Sequence, residues 1–374
     1  MRDSYFDRKT SSALKGIALI LMFVHHFFTF PEWITCGVEY PWQQAFADQF
    51  CAPTDICVSL FAFLTGYFYV FSRGTIRYSL RKITDFLISY WMAAIPMIAL
   101  AAWSGCYTLS KSGVVCELLG LNSTVMSFCW YVYFFCIIML ALPLLTRRDS
   151  RSPVMDVLLL LLLPTAALNI WYALEPRPLV GAVVWNLRQW WPCVAVGYLF
   201  GKYGLFEKWL DTFLQRGEKS GFAVRVVLPA LMVWATFRGR YYIGALNFGS
   251  VTFRSGDYTL MLTSDILNAP LFLYGAANLL MLCPNGFLFR ILEKIGEHSM
   301  LMWFYHCIFF NCCRQFTQIV LYFPKNPVLV LLNGLILCYM AAVLTEPVRK
   351  ALVGGKNRLL DAFRIGPVTE GHKK

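Results

Sequence analysis

Apolar residues occur in long runs separated by short polar pieces. Runs of spanning length, about 17 to 25 residues, fall near 13–30, 56–72, 83–103, 126–146, 154–174, 180–201, 222–243, 258–282, 298–323 and 327–348. Each predicts a helix, because a chain surrounded by lipid must satisfy its own backbone hydrogen bonds and a helix does so locally. The seventh run is the least regular, crowded by Arg225, Pro229, Arg238 and Arg240.

Composition agrees with the pattern. The 374 residues are 58% hydrophobic and 14% charged, with mean hydropathy +0.56, which is more apolar surface than a soluble core of this size can bury. A net charge of +12 in a soluble domain would suggest nucleic acid, so the placement of the cations decides. They alternate between loops. Arg2, Arg8, Lys9 and Lys15 lie at the N-terminus, up to the start of the first run, whereas 31–55 holds Glu32, Glu39, Asp48 and Asp55 and no Lys or Arg. Arg73, Arg77, Arg81 and Lys82 follow the second run, Lys111 alone the third, Arg147, Arg148 and Arg151 the fourth, and Arg177 alone the fifth. The alternation continues to a tail with Arg349, Lys350, Lys356, Arg358, Arg364, Lys373 and Lys374. Positive loops stay in the cytoplasm. The expectation is an all-α polytopic protein of the cell membrane with about ten transmembrane helices, both termini inside and no nucleic-acid partner. It is organised as a membrane domain over 1–350 and a basic cytoplasmic tail over 351–374. Pro31, Glu32 and Trp33 follow the first run where a signal peptide would have small residues, so that run reads as a retained helix.

The thirteen cysteines show no CxxC and no zinc-like spacing, so no metal is expected. Cys36 with Cys51, or Cys106 with Cys116, can pair in an oxidising compartment; free thiols acting as small hydrophobes are the plainer alternative. Asn122-Ser123-Thr124 matches a glycosylation sequon, relevant only in a secretory setting.

Ionisable groups within the runs are functional candidates, since lipid makes them expensive. The short list is Lys15, His25, His26, Arg188, Asp265, His298 and His306. Eleven helical steps make about three turns plus 20°, so Lys15 and His26 share a face, with His26 about 16 Å deeper. His306 falls at a similar depth, and the two imidazoles can meet if the first and ninth helices are neighbours. Hydrogen-bonded core histidines are the competing reading. Imidazole near its ordinary pKa suits proton transfer from an attacking hydroxyl. Lys15 and the basic segment 73–82 suit an anionic cytosolic ligand, although any cytoplasmic loop is basic. Arg188 is a candidate partner for Asp265, as a cavity wall or as a structural ion pair. Arg238, Arg240, Tyr241 and Tyr242 can meet an anionic or sugar acceptor or anchor their helix at the interface.

Several segments resemble the acyltransferase-3 family of integral membrane acyltransferases. SSALKGIALILMFVHHFF is similar to its first helix, with Lys15 and His26 at the positions of an Arg-x10-His signature. SLFAFLTGYFYVF, RGTIRYSLRKITDFLISYW, CWYVYFFCIIML (with Trp130), WPCVAVGYLFGKYG and EKIGEHSMLMWFYHCIFF (with Gly296, Ser299 and His306) resemble later family segments in order. Lys15 in place of Arg keeps the charge and loses the bidentate fork. Arg73, Arg77 and Arg81 are spaced at four-residue steps, in place of a tighter Arg-x-x-Arg.

The resemblance implies transfer of an acyl group, usually acetyl, from cytosolic acyl-CoA to a hydroxyl of a surface or exported carbohydrate. On this reading His26 and His306 are catalytic, and Lys15, Arg77, Arg81 and Lys82 bind the donor. Arg188, Asp265, Arg238, Arg240 and Trp130 are candidates for the acceptor. The rival is a transporter or flippase using His26, His306, Asp265 and Arg188 as a relay; the lack of repeated halves speaks against it. A third reading is a member that binds a lipid or glycan without turnover.

Overall fold

The computed structural model describes residues 4–29, 46–72, 74–121, 124–147, 152–211, 221, 223–244, 250–255, 258–310, 317 and 319–362. Among these, every expected apolar run contains a helix: α1 Arg8–Phe28, α2 Ile56–Tyr69, α3 Ile76–Trp103, the short connecting α4 Lys111–Leu118, and α5 Tyr131–Leu145. There follow α6 Pro153–Leu174, α7 Pro178–Tyr203, α8 Leu228–Gly244, α9 Asp265–Met281, α10 Phe287–His306 and α11 Pro327–Ala362. Among the described residues, five helices are long and apolar enough to cross a membrane: Arg8–Phe28, Gln49–Tyr69, Ile76–Trp103, Pro153–Leu174 and Pro327–Leu360. Their ends follow local chemistry. The Asp7 carboxylate accepts from Thr10 N at 2.6 Å, the Thr75 hydroxyl from Tyr78 N at 3.2 Å, and α7 stops where Gly204 turns left-handed (φ 61°).

Three boundaries depart from the pattern. The run 258–282 is not all helix: Tyr258–Thr263 is a strand paired antiparallel with Ser250–Ser255, Ser255 opposite Tyr258, and α9 starts only at Asp265. Tyr and Thr favour strand, and the sequence between the strands is Gly256-Asp257, a hairpin dipeptide. The ninth helix lies earlier than 298–323, at Phe287–His306, because polar Lys294 and Glu297 pair one turn apart (2.7 Å) on its exposed side and do not end it. The last helix continues to Ala362.

The chain divides into two compact units: residues 1–73, 145–299 and 314–335, and residues 74–144, 300–313 and 336–374. In the first, α2 and α7 approach at their backbones. A side-chain carbon at Gly66 would overlap the Val194 carbonyl and one at Gly197 the Phe63 carbonyl; Gly201 faces Tyr67. Small residues are what let helices pack this closely. Phe63 against Gly197 and Tyr67 against Gly201 make the pair parallel. Helix α6 runs antiparallel to α7, joined by Trp191 Nε1 to Leu160 O (2.8 Å) and by Lys202 and Tyr203 on Asp156 (2.5 and 2.7 Å). Gly16 and Gly296 bring α1 and the first part of α10 together in the same way.

The second unit packs α3 and α5 around Phe86, Tyr90, Ala94, Val132, Phe304 and Cys307. The buried Glu117 carboxylate accepts from the backbone N–H of Thr124, Val125 and Met126 at 3.0, 3.0 and 3.1 Å. Tyr90 and Trp91 donate to the carbonyls of Glu117 and Leu118 at 2.5 and 2.8 Å. Burial pushes the Glu117 carboxyl up from its ordinary range, opposed by those three N–H groups.

Candidate active site

Helix α1 is uninterrupted from Arg8 to Phe28, so the common face of Lys15 and His26 exists. His26 is buried, 7% exposed, and its ring lies 5.6 Å from that of His25. His25 is held differently: its Nδ1 shares a hydrogen bond with the Thr29 hydroxyl (3.3 Å) and its ring bonds the Cys51 backbone. It therefore ties the end of α1 to the segment entering α2. Half-buried Lys15 places its ammonium 5.9 Å from the Phe68 ring.

Beside this segment lies a buried charge cluster. Arg240 Nε and Nη2 reach Asp265 Oδ1 and Oδ2 at 2.9 and 3.0 Å, a bidentate pair, while Nη1 bonds Pro53 O (2.8 Å) and the Asp55 carboxylate. Ser59 donates to Asp265, and Asn268 Nδ2 stands 3.3 Å from it. Arg240, Asp55 and Asp265 are 1%, 4% and 0% exposed. Both carboxylates stand at helix N-termini, Asp55 before α2 and Asp265 opening α9, where the backbone dipole favours negative charge.

These contacts correct two expectations. Asp265 is paired with Arg240, not Arg188, because the end of α8 meets the start of α9. Arg240 is not an external acceptor contact; two residues along a helix is over half a turn, and only Arg238 stays outside, donating to Tyr242 Oη (2.7 Å) beside Tyr241. Asp55 and Ser59 were missed. Asp55 reads in the sequence as an external-loop charge, and a lone Ser in an apolar run carries no signal.

Arg188 is buried, 3% exposed, in a corner made by Tyr172 and Trp185, whose ring centroids lie 3.8 and 4.5 Å from its guanidinium carbon. At the turn between α6 and α7, Arg177 holds Glu175 through two hydrogen bonds of 2.7 and 2.9 Å. The pairing lowers that carboxyl to about 2.

The remaining candidates belong to the second unit. Arg77 and Arg81 lie one turn apart in the first turns of α3, Arg77 exposed and Arg81 half-buried, with Lys82 over the Tyr78 ring at 5.5 Å. Arg73 lies outside the described residues. Trp130 precedes α5 against Tyr131 and Phe134. His306 is fully buried at the end of α10. Its Nδ1 donates to Trp303 O, and Phe128 stacks on it at 6.1 Å. Phe128 itself has φ 64°, rare for a large side chain. His26 and His306 thus belong to different units.

Cys51, Cys106 and Cys116 are free thiols; Cys36, Asn122 and Ser123 lie outside the described residues. Among the described residues no group of three His, Cys, Asp or Glu side chains is arranged to hold a metal.

The sequence profile of the acyltransferase-3 family, described as an acyltransferase domain, matches residues 8–346. The chain belongs to that family. Its activity class is that of a membrane acyltransferase. No curated protein and no solved structure matches it. The glycines in the segments that resemble the acyltransferase-3 family now have a physical role: Gly16, Gly66, Gly197, Gly201 and Gly296 are the points where backbones touch, so the motifs record helix packing as well as chemistry.

Proposed function

We propose that this acyltransferase moves an acyl group, acetyl by preference, from cytosolic acyl-CoA to a hydroxyl of a cell-surface or exported carbohydrate. The observation that carries the reading is a buried His26 on one face of an unbroken helix with Lys15, in a chain of an acyltransferase family. His26 takes the proton from the acceptor hydroxyl. The oxygen attacks the thioester carbonyl carbon, a C–O bond forms and the C–S bond breaks. The proton passes to the departing sulfur, giving ester and free CoA thiol. Lys15, Arg77, Arg81 and Lys82 attract the donor's phosphates. His306, with its proton on Nδ1, serves as the second proton group. Ten spans with both termini inside put the donor side at Lys15 and Lys202. In support, α2, α7 and α9 point one way and α1, α6 and α8 the other, as alternating loop charge requires.

The test is acyl transfer from labelled acetyl-CoA to surface glycan in membranes holding the full chain. His26→Ala is expected to lower turnover at least 100-fold while leaving the melting temperature near wild type. Wild-type turnover in His26→Ala would overturn the assignment. Proton-coupled uptake into proteoliposomes without CoA release would favour the transporter reading.

A further inference from the structure

Arg188 is a buried charged group that the proposed chemistry leaves unused. Its Nε and Nη1 are buried and, among the described residues, make no hydrogen bond. A guanidinium stays charged in proteins, and a buried charge without partners is strongly destabilising. The two rings offset part of that. Tyr172 and Trp185 are tilted by 55° with centroids 5.6 Å apart, a corner that engages the π face and leaves the N–H groups to another partner. On α6 the stripe Thr165, Asn169 and Tyr172 shares one face at steps of four and three. The Thr165 hydroxyl is also buried without a partner. Two unsatisfied polar groups on the same helix pair point to a ligand that completes them.

The level of the site narrows the ligand. Phe63 meets Gly197 and Tyr67 meets Gly201, one constant register between α2 and α7. Nine residues before Gly197, Arg188 therefore stands level with Thr54 in the turn that opens α2, the depth at which Arg240 holds Asp55. This is the His26 end of the unit, away from Lys202. A ligand here shares the depth of the proposed acceptor, not that of the donor's phosphates.

We propose that Arg188, in its Tyr172–Trp185 corner, binds an oxyanion, carboxylate or phosphate, carried by the acyl acceptor. The acceptor is then an acidic sugar or a phosphorylated one, and Arg188 fixes the acceptor's position. The inference rests on the acyltransferase reading for the word acceptor; anion binding itself does not.

The full chain in phosphatidylcholine nanodiscs, with no acyl donor present, is melted against sodium glucuronate, inorganic phosphate and glucose at constant ionic strength. Glucuronate or phosphate is expected to raise the wild-type melting temperature with saturation, and glucose to leave it unchanged. A glucuronate response assigns a sugar acid and a phosphate response a phosphorylated acceptor. Arg188→Met should melt at or above ligand-free wild type and lose the shift, and Arg188→Lys should bind at least about tenfold more weakly, lacking the fork. No shift with either anion, a shift retained in Arg188→Met, or an Arg188→Met protein that melts well below wild type would each overturn the proposal. Should Arg188→Met not fold, the proposal is equally overturned, since the arginine would then be structural. Loss of acyl transfer with anion binding intact would instead count against the acyltransferase chemistry.

Discussion

The buried cluster Arg240–Asp55–Asp265 makes an ordered prediction about stability. It holds one cation and two carboxylates, a net charge of −1 in a site at most 4% exposed. Arg240→Met removes the only cation of the three and leaves two carboxylates facing each other across the space it filled. Breaking a buried pair from one side costs about 3–5 kcal/mol. Asp265→Asn leaves Arg240 with Asp55, a neutral pair, and loses mainly charge-assisted hydrogen bonds, at about 1.5–3 kcal/mol. Asp55→Asn keeps the bidentate Arg240–Asp265 pair with its 2.9 and 3.0 Å contacts and should cost least. The expected order of loss is Arg240→Met, then Asp265→Asn, then Asp55→Asn. The double variant Arg240→Met/Asp265→Asn should lose less than the sum, because the second change relieves the repulsion left by the first. Unfolding in mixed micelles, followed by tryptophan fluorescence with increasing SDS, gives all four values. An Asp265→Asn protein as damaged as Arg240→Met, or an Arg240→Met protein within about 0.5 kcal/mol of wild type, would refute the charge argument.

Two further outcomes follow from geometry outside the cluster. Gly197→Leu should cost at least about 1–3 kcal/mol in the same assay, since its side chain meets the Phe63 backbone, whereas Gly181→Leu, with open space around it, should stay near wild type. The Glu175 carboxyl is held at about 2 by Arg177, against about 4.3 unfolded; its stabilisation is present above the unfolded value and lost as pH falls toward 2. The melting temperature should fall less steeply over that window in Glu175→Gln than in wild type, and equal slopes would show that the pair contributes nothing.

The apolar runs alone determined that the chain is helical and where its long helices lie to within a few residues in most cases, and loop charge set an expectation of which side each loop prefers. Spanning length and loop charge are local properties, readable one segment at a time. The shared face of Lys15 and His26 was equally legible, because eleven residues on a continuous helix leave no freedom in relative direction. The hairpin at 250–263 was obscured by an apolar string whose alternation is weak, and the start of α10 by charges that an exposed helix face tolerates. Only the tertiary structure decided the partners. Arg240 and Arg188 look alike in sequence, each an arginine near an apolar run. One is neutralised because the starts of α2 and α9 bring two carboxylates to it. The other is left in an aromatic corner because the facing stripe of α6 offers it the Tyr172 ring and no carboxylate, and its own helix adds Trp185. Which cation is satisfied depends on how helix ends meet, and contacts between residues some two hundred positions apart, such as Ser59 and Asp265, leave no trace in local pattern.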